Sequence, residues 1–193
     1  MFFYWLSWLF WIIITFFFPN IQLRNRLAAL TLIVISLSQS TFIIFGLELY
    51  MSYVLLTITY LLILLKQKES LELLAVIFFL AISYTGLKFI LIVRPIWLFI
   101  PDAMILTTIY TLVAFLVTNS VVKRYLIASF PLLLGEFFYV IFVSQLAWSM
   151  RLGDIRFIHL ILIQIAFLFM FQQWKQGKYK YKKLLEKLEE QTN

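Results

Sequence analysis

The chain has 193 residues, 64% of them apolar and only 13% charged, with a mean hydropathy of +0.98. A water-soluble globule of this size cannot hide that much apolar surface, so the composition is that of a membrane protein. The 16 lysines and arginines against 9 acids leave a net charge of +7, too dispersed for a nucleic-acid groove; the absence of cysteine and the single histidine, His159, exclude thiolate chemistry and leave little for metal or nucleophilic sites.

A membrane helix needs about 20 mostly apolar residues, because it rises about 1.5 Å per residue through about 30 Å of hydrocarbon. Seven stretches qualify: residues 2–18, 27–45, 49–65, 70–93, 103–122, 125–148 and 157–174. The fold class predicted is all-α, a single bundle of seven transmembrane helices over residues 1–174, followed by a basic tail over 175–193. The first stretch is short, but it lacks a basic leader and a small-residue cleavage site, so it is expected to stay as a permanent helix.

Orientation follows from Lys and Arg, which are retained on the cytoplasmic side. With the N-terminus outside, the cytoplasmic segments hold Arg24, Arg26, Lys66, Lys68, Lys123, Arg124 and the tail lysines, 12 of the 16. The tail is then cytoplasmic. Trp5, Trp97 and Trp148 fall at the outer boundary and Trp174 at the inner one, where indole rings prefer to sit.

An ionisable side chain in hydrocarbon costs about 2.5–3.5 kcal/mol on insertion scales. Glu136 is the clearest case, about 16 Å from Tyr125 along its helix and therefore near the midplane. Gln39, Thr57, Ser83, Tyr84, Tyr110, Thr111 and Gln164 fall at similar depth, which predicts a polar layer around Glu136 with Gln39, Gln164, Tyr84 and Tyr110 as its members. Two readings of that layer stand, hydrogen bonding between helices or a solute or proton site. Lys88 lies about 10 Å further out than Glu136 on the same ruler, which favours an ammonium lifted toward the headgroups over an ion pair. Ser36 and Ser40, four apart, suggest close helix approach.

The outer rim collects Lys88, Arg94, Asp102, Arg151, Asp154, Arg156 and His159, a mixture expected of charged helix ends. In the tail, Lys175, Lys178, Lys180, Lys182 and Lys183 lie beside the last span, where each gains about 1 kcal/mol from anionic lipid headgroups. Leu184, Leu185 and Leu188 follow on one side of a possible short amphipathic helix, a docking site for a cytoplasmic partner.

No metalloprotease, nucleophile-elbow, phosphate-loop or dinucleotide motif is present, so no catalysis, cofactor or metal is expected. The opening FYWLSWLFWIIITFF at residues 3–17 and the FGLE turn at residues 45–48 resemble the YphA-like family, small polytopic membrane proteins of spore-forming bacilli. The resemblance implies a bacterial cell-membrane protein connected with sporulation and carries over no functional residues. The reading is a non-catalytic, multi-pass scaffold or assembly factor of the envelope whose partners are the bilayer and another membrane or cytoplasmic protein; the alternative is a small-solute binding or transport subunit with a midplane site at Glu136.

Overall fold

The computed structural model describes residues 2–17, 20–44, 46–67, 71–93, 101–146 and 151–192. They form seven helices: α1 (Phe2–Phe17), α2 (Ile21–Leu37), α3 (Met51–Gln67), α4 (Leu71–Val93), α5 (Asp102–Val117), α6 (Val121–Ser144) and α7 (Ile155–Thr192). Three of them, over Leu71–Leu91, Val121–Ser144 and Ile155–Lys175, are long and apolar enough to cross a membrane; Phe3–Phe17, Met51–Lys66 and Asp102–Val117 are apolar but shorter.

The all-α expectation needs one correction. Strands β1 (Thr41–Ile44), β2 (Leu47–Tyr50) and β3 (Arg151–Leu152) form a small sheet in the order β1-β2-β3. β1 and β2 are an antiparallel hairpin pairing Ile44 with Leu47, and its turn depends on Gly46 at φ 78, a conformation that costs glycine little. β3 then adds in parallel, pairing Glu48 with Arg151. Hydropathy alone reads Thr41–Ile44 as the end of a membrane helix, but its β-branched and aromatic residues beside a tight turn favour a strand.

The second helix is displaced accordingly. Asn20 caps it, its side chain accepting from the Leu23 N–H at 3.2 Å, so α2 starts six residues before the expected boundary and carries Arg24 and Arg26 in its first turns. Likewise α6 starts at Val121, and Lys123 and Arg124 lie inside it rather than in a loop.

Helix direction follows from side-chain contacts. Tyr53 reaches the Leu133 carbonyl while Tyr60 stacks on Phe130, so α3 runs antiparallel to α6. α4 returns through a short connection and is therefore parallel to α6. The sheet ties the α2–α3 and α6–α7 connections to one end of the bundle, here the hairpin end. The start of α1 is there too, with the Tyr4 hydroxyl 3.3 Å from Ser38 Oγ. At the opposite end Arg124 donates to Gln172 of α7.

α6 is the axis of the bundle. Of its membrane-length stretch 72% is buried, against 33% for α4 and for α7. An apolar helix covered on nearly all sides has to be surrounded by others, and α3, α4, α5 and α7 all pack on it.

Candidate functional site

The candidate site lies on the seam between α4 and α6. These two helices come unusually close at Gly135, where a Cβ would stand 2.6 Å from Tyr84 Cδ1 and 2.7 Å from the Ala81 carbonyl oxygen. Only glycine permits that approach. Thr85 locks it: its hydroxyl lies 3.0 Å from the Gly135 carbonyl and 3.1 Å from its own helix at Ala81. Next in sequence to Gly135, Glu136 is buried, and its Oε2 accepts from the Tyr84 hydroxyl at 2.8 Å and from the Lys88 ammonium.

Lys88 is therefore an ion-pair partner and not a rim charge, which corrects the snorkelling expectation. The earlier ruler started α6 at Tyr125. With α6 starting at Val121, Glu136 is about 23 Å along α6 and Lys88 about 25 Å along the parallel α4, so the two are level. The ammonium also lies 4.2 Å from the centre of the Tyr139 ring and 5.7 Å from that of Tyr84. Two aromatic faces and a carboxylate replace much of the water it gives up. Its side chain is 25% exposed and that of Glu136 only 4%, so the pair is sealed from the acid's side.

The other members of the expected layer do not join Glu136. Tyr110, buried, donates to the Leu80 carbonyl at 2.8 Å and ties α5 to α4. Gln164 donates to Thr111 Oγ1 at 2.9 Å and ties α7 to α5. Gln39 lies beyond the end of α2, exposed, donating to the Tyr4 hydroxyl at 2.7 Å; the shift of α2 moves it from mid-helix to the hairpin end. Ser36 and Ser40 are exposed, and Ser40 is outside the helix. The polar groups thus divide into separate helix-to-helix bonds.

Of the rim residues, Arg151 pairs with Glu48 at 2.6 Å across the parallel strands. The neighbouring Tyr50 hydroxyl first, then the Glu48 charge, hold the exposed Arg151 guanidinium above its ordinary pKa. Asp154 accepts from the Phe157 N–H at 2.9 Å, opening α7, and from Arg156 at 3.1 Å. Asp102 is exposed in the first turn of α5, and His159 is half-buried in α7. Arg94, Trp97 and Trp148 lie outside the described residues. Lys175 and Lys178 are exposed, with the Lys178 ammonium 4.2 Å from the Trp174 ring; Lys180, Lys182 and Lys183 follow on the same continuous helix.

The model of the YphA-like integral membrane protein family matches residues 1–193. The chain belongs to this family. Membership covers the whole sequence and makes it an integral membrane protein, in accord with its apolar helices. Neither a curated protein nor a solved structure matches it.

Within this YphA-like chain, three positions escape sequence reasoning. Tyr53 donates to the Leu133 carbonyl at 2.9 Å and packs over Gly153, where a Cβ would stand 2.2 Å from that of Tyr53. Arg124, buried, donates to the Thr118 carbonyl and to Gln172 Oε1, each at 2.9 Å, and stacks 4.3 Å from the Phe115 ring centre. The third is Gly135, which stands beside the conspicuous acid but carries no GxxxG pattern.

Proposed function

We propose that the protein is a non-catalytic, multi-pass scaffold or assembly factor of the cell membrane, acting in the envelope of a sporulating cell as the family resemblance implies. In this reading the chain crosses the bilayer seven times, with the hairpin end outside and the α7 tail in the cytoplasm. The placement of 12 of the 16 basic residues toward one side supports that orientation. One observation carries the scaffold reading: the buried acid Glu136 is consumed by Tyr84 and Lys88 within the bundle. A carboxylate already neutralised and hydrogen-bonded has little left to offer a solute.

The solute-binding alternative draws on a different observation. Among the described residues, Gln164 Oε1 is buried without a hydrogen-bond partner, and an unsatisfied group of that kind is what a small polar ligand would use. Purification of the tagged protein from its own membranes in mild detergent, followed by native mass spectrometry, separates the two. The scaffold reading expects a membrane or cytoplasmic protein in fixed ratio and no small molecule. A stoichiometric small molecule, lost in Gln164→Leu, would reverse the ranking.

A further inference from the structure

Arg124 is a buried charge whose contacts are all neutral. It is only 4% exposed. Nε donates to the Thr118 carbonyl and Nη1 to Gln172 Oε1, each at 2.9 Å, Nη2 stands 3.5 Å from Asn119 Oδ1, and the Phe115 ring centre lies 4.3 Å from the guanidinium carbon. No carboxylate among the described residues comes within ion-pair distance of it. Buried charges are ordinarily paired, because a neutral dipole replaces only part of the water they give up. The three bonds also leave two of the five guanidinium N–H groups without an acceptor among the described residues.

The surroundings add positive charge instead of cancelling it. The Lys175 ammonium is 5.8 Å from the centre of the same Phe115 ring, so one ring is shared by two cations. Phe115 packs on Phe171 with 4.9 Å between ring centres, Phe171 packs on Trp174 at 5.4 Å, and the Lys178 ammonium lies 4.2 Å from the Trp174 ring. A ring face attracts a cation but removes none of its charge. Among the described residues neither lysine pairs with an acid. A guanidinium with N–H groups left over, beside an ammonium, suits a phosphate. Position selects which phosphate. Phe115 is near the end of α5, Arg124 near the start of α6, and the membrane-length stretch of α7 ends at Lys175. Asn119, Trp174 and Lys175 are exposed there, at the level where phospholipid headgroups stand. Basic pockets between spanning helices hold anionic headgroups, and a choline headgroup would bring a cation of its own. We propose that Arg124 and Lys175, with Lys178 at the rim, bind the phosphate of an anionic phospholipid. The site goes beyond the assembly reading and does not depend on which face of the membrane it occupies.

The test is native mass spectrometry of the full chain released from mixed micelles holding equal amounts of phosphatidylglycerol and phosphatidylcholine. A single phosphatidylglycerol per chain is expected, favoured over phosphatidylcholine by at least about ten-fold, since each cation near the headgroups adds to the preference. Lys175→Gln, at an exposed position, should lower that preference several-fold, while Lys66→Gln, exposed in the last turn of α3 at the same end of the bundle, should leave it unchanged. Equal losses in the two variants would reduce the site to general attraction between bases and lipid, and overturn the proposal. A wild-type chain that retains no phosphatidylglycerol overturns it as well. Retention should survive Gln164→Leu, which separates this lipid from the solute of the alternative reading; its loss there would place the lipid elsewhere in the bundle. Thermal unfolding in phosphatidylcholine nanodiscs separates the two sources of phosphate. Millimolar inorganic phosphate should give no shift, and a stabilisation equal to that from phosphatidylglycerol and lost in Lys175→Gln would make the ligand a soluble one, contrary to the proposal.

Discussion

Lys88 and Glu136 meet inside the bundle because α4 and α6 run parallel and bring both residues to the same level of the seam. Removing one partner leaves the other charge buried and unpaired, at about 3–5 kcal/mol, whereas removing both is close to neutral. Lys88→Met and Glu136→Leu are each expected to destabilise by about 3 kcal/mol, the lower end, since Lys88 is partly exposed. The double variant should lose less than either. Thermal unfolding of the four proteins in one detergent gives the cycle, and additive losses would show that the pair is not coupled.

Gly135 and Gly86 offer an internal comparison. A methyl at Gly135 meets Tyr84 and the Ala81 carbonyl, while one at Gly86 meets nothing within 4 Å among the described residues. Gly135→Ala should cost about 1–3 kcal/mol by forcing α4 and α6 apart. Gly86→Ala should be neutral or stabilising by up to about 1 kcal/mol through helix propensity. The same melting experiment checks both, and equal effects would mean that the seam tolerates a wider spacing.

At the hairpin end, Tyr53 joins α3 to α6 and covers Gly153. Tyr53→Phe removes a single hydrogen bond and should cost about 1 kcal/mol. Gly153→Ala should cost more, because its φ of 74 and the 2.2 Å approach to Tyr53 Cβ leave no room for a side chain. If Gly153→Ala proves the milder of the two, this packing is not what orders the α6–α7 connection.

Arg124 closes the opposite end by bonding the Thr118 carbonyl and Gln172 while stacking on Phe115. A lysine cannot reproduce that fork and planar contact. Arg124→Lys should therefore lose nearly as much stability as Arg124→Met, about 1–3 kcal/mol, in the same assay. Full retention with lysine would reduce Arg124 to a point charge.

Apolar run length made the seven helices legible, because hydrocarbon burial imposes its own ruler on a chain. What it could not separate was Thr41–Ile44, equally apolar as strand or helix, and that slip carried Gln39 from the bundle interior to its edge. The presence of a buried acid at Glu136 was visible from cost alone. Its partner was not, because a displacement of four residues in the start of α6 changes depth by about 6 Å. Tyrosine was the other gap. Tyr53, Tyr84 and Tyr110 each span two helices with one hydroxyl, and a reading by residue depth has no means of assigning which neighbour each one reaches.

Because the chain has no cysteine of its own, single substitutions report most directly on the proposed seven-crossing topology. Thr41→Cys marks the exposed hairpin end, Asn119→Cys the exposed opposite end, and Ser129→Cys the fully buried core of α6. Treated with a membrane-impermeant maleimide, intact cells should label Thr41→Cys, label Asn119→Cys only after permeabilisation, and leave Ser129→Cys unmodified in both states. Labelling of both ends from the same side, or rapid modification of Ser129→Cys in the folded protein, would contradict the account.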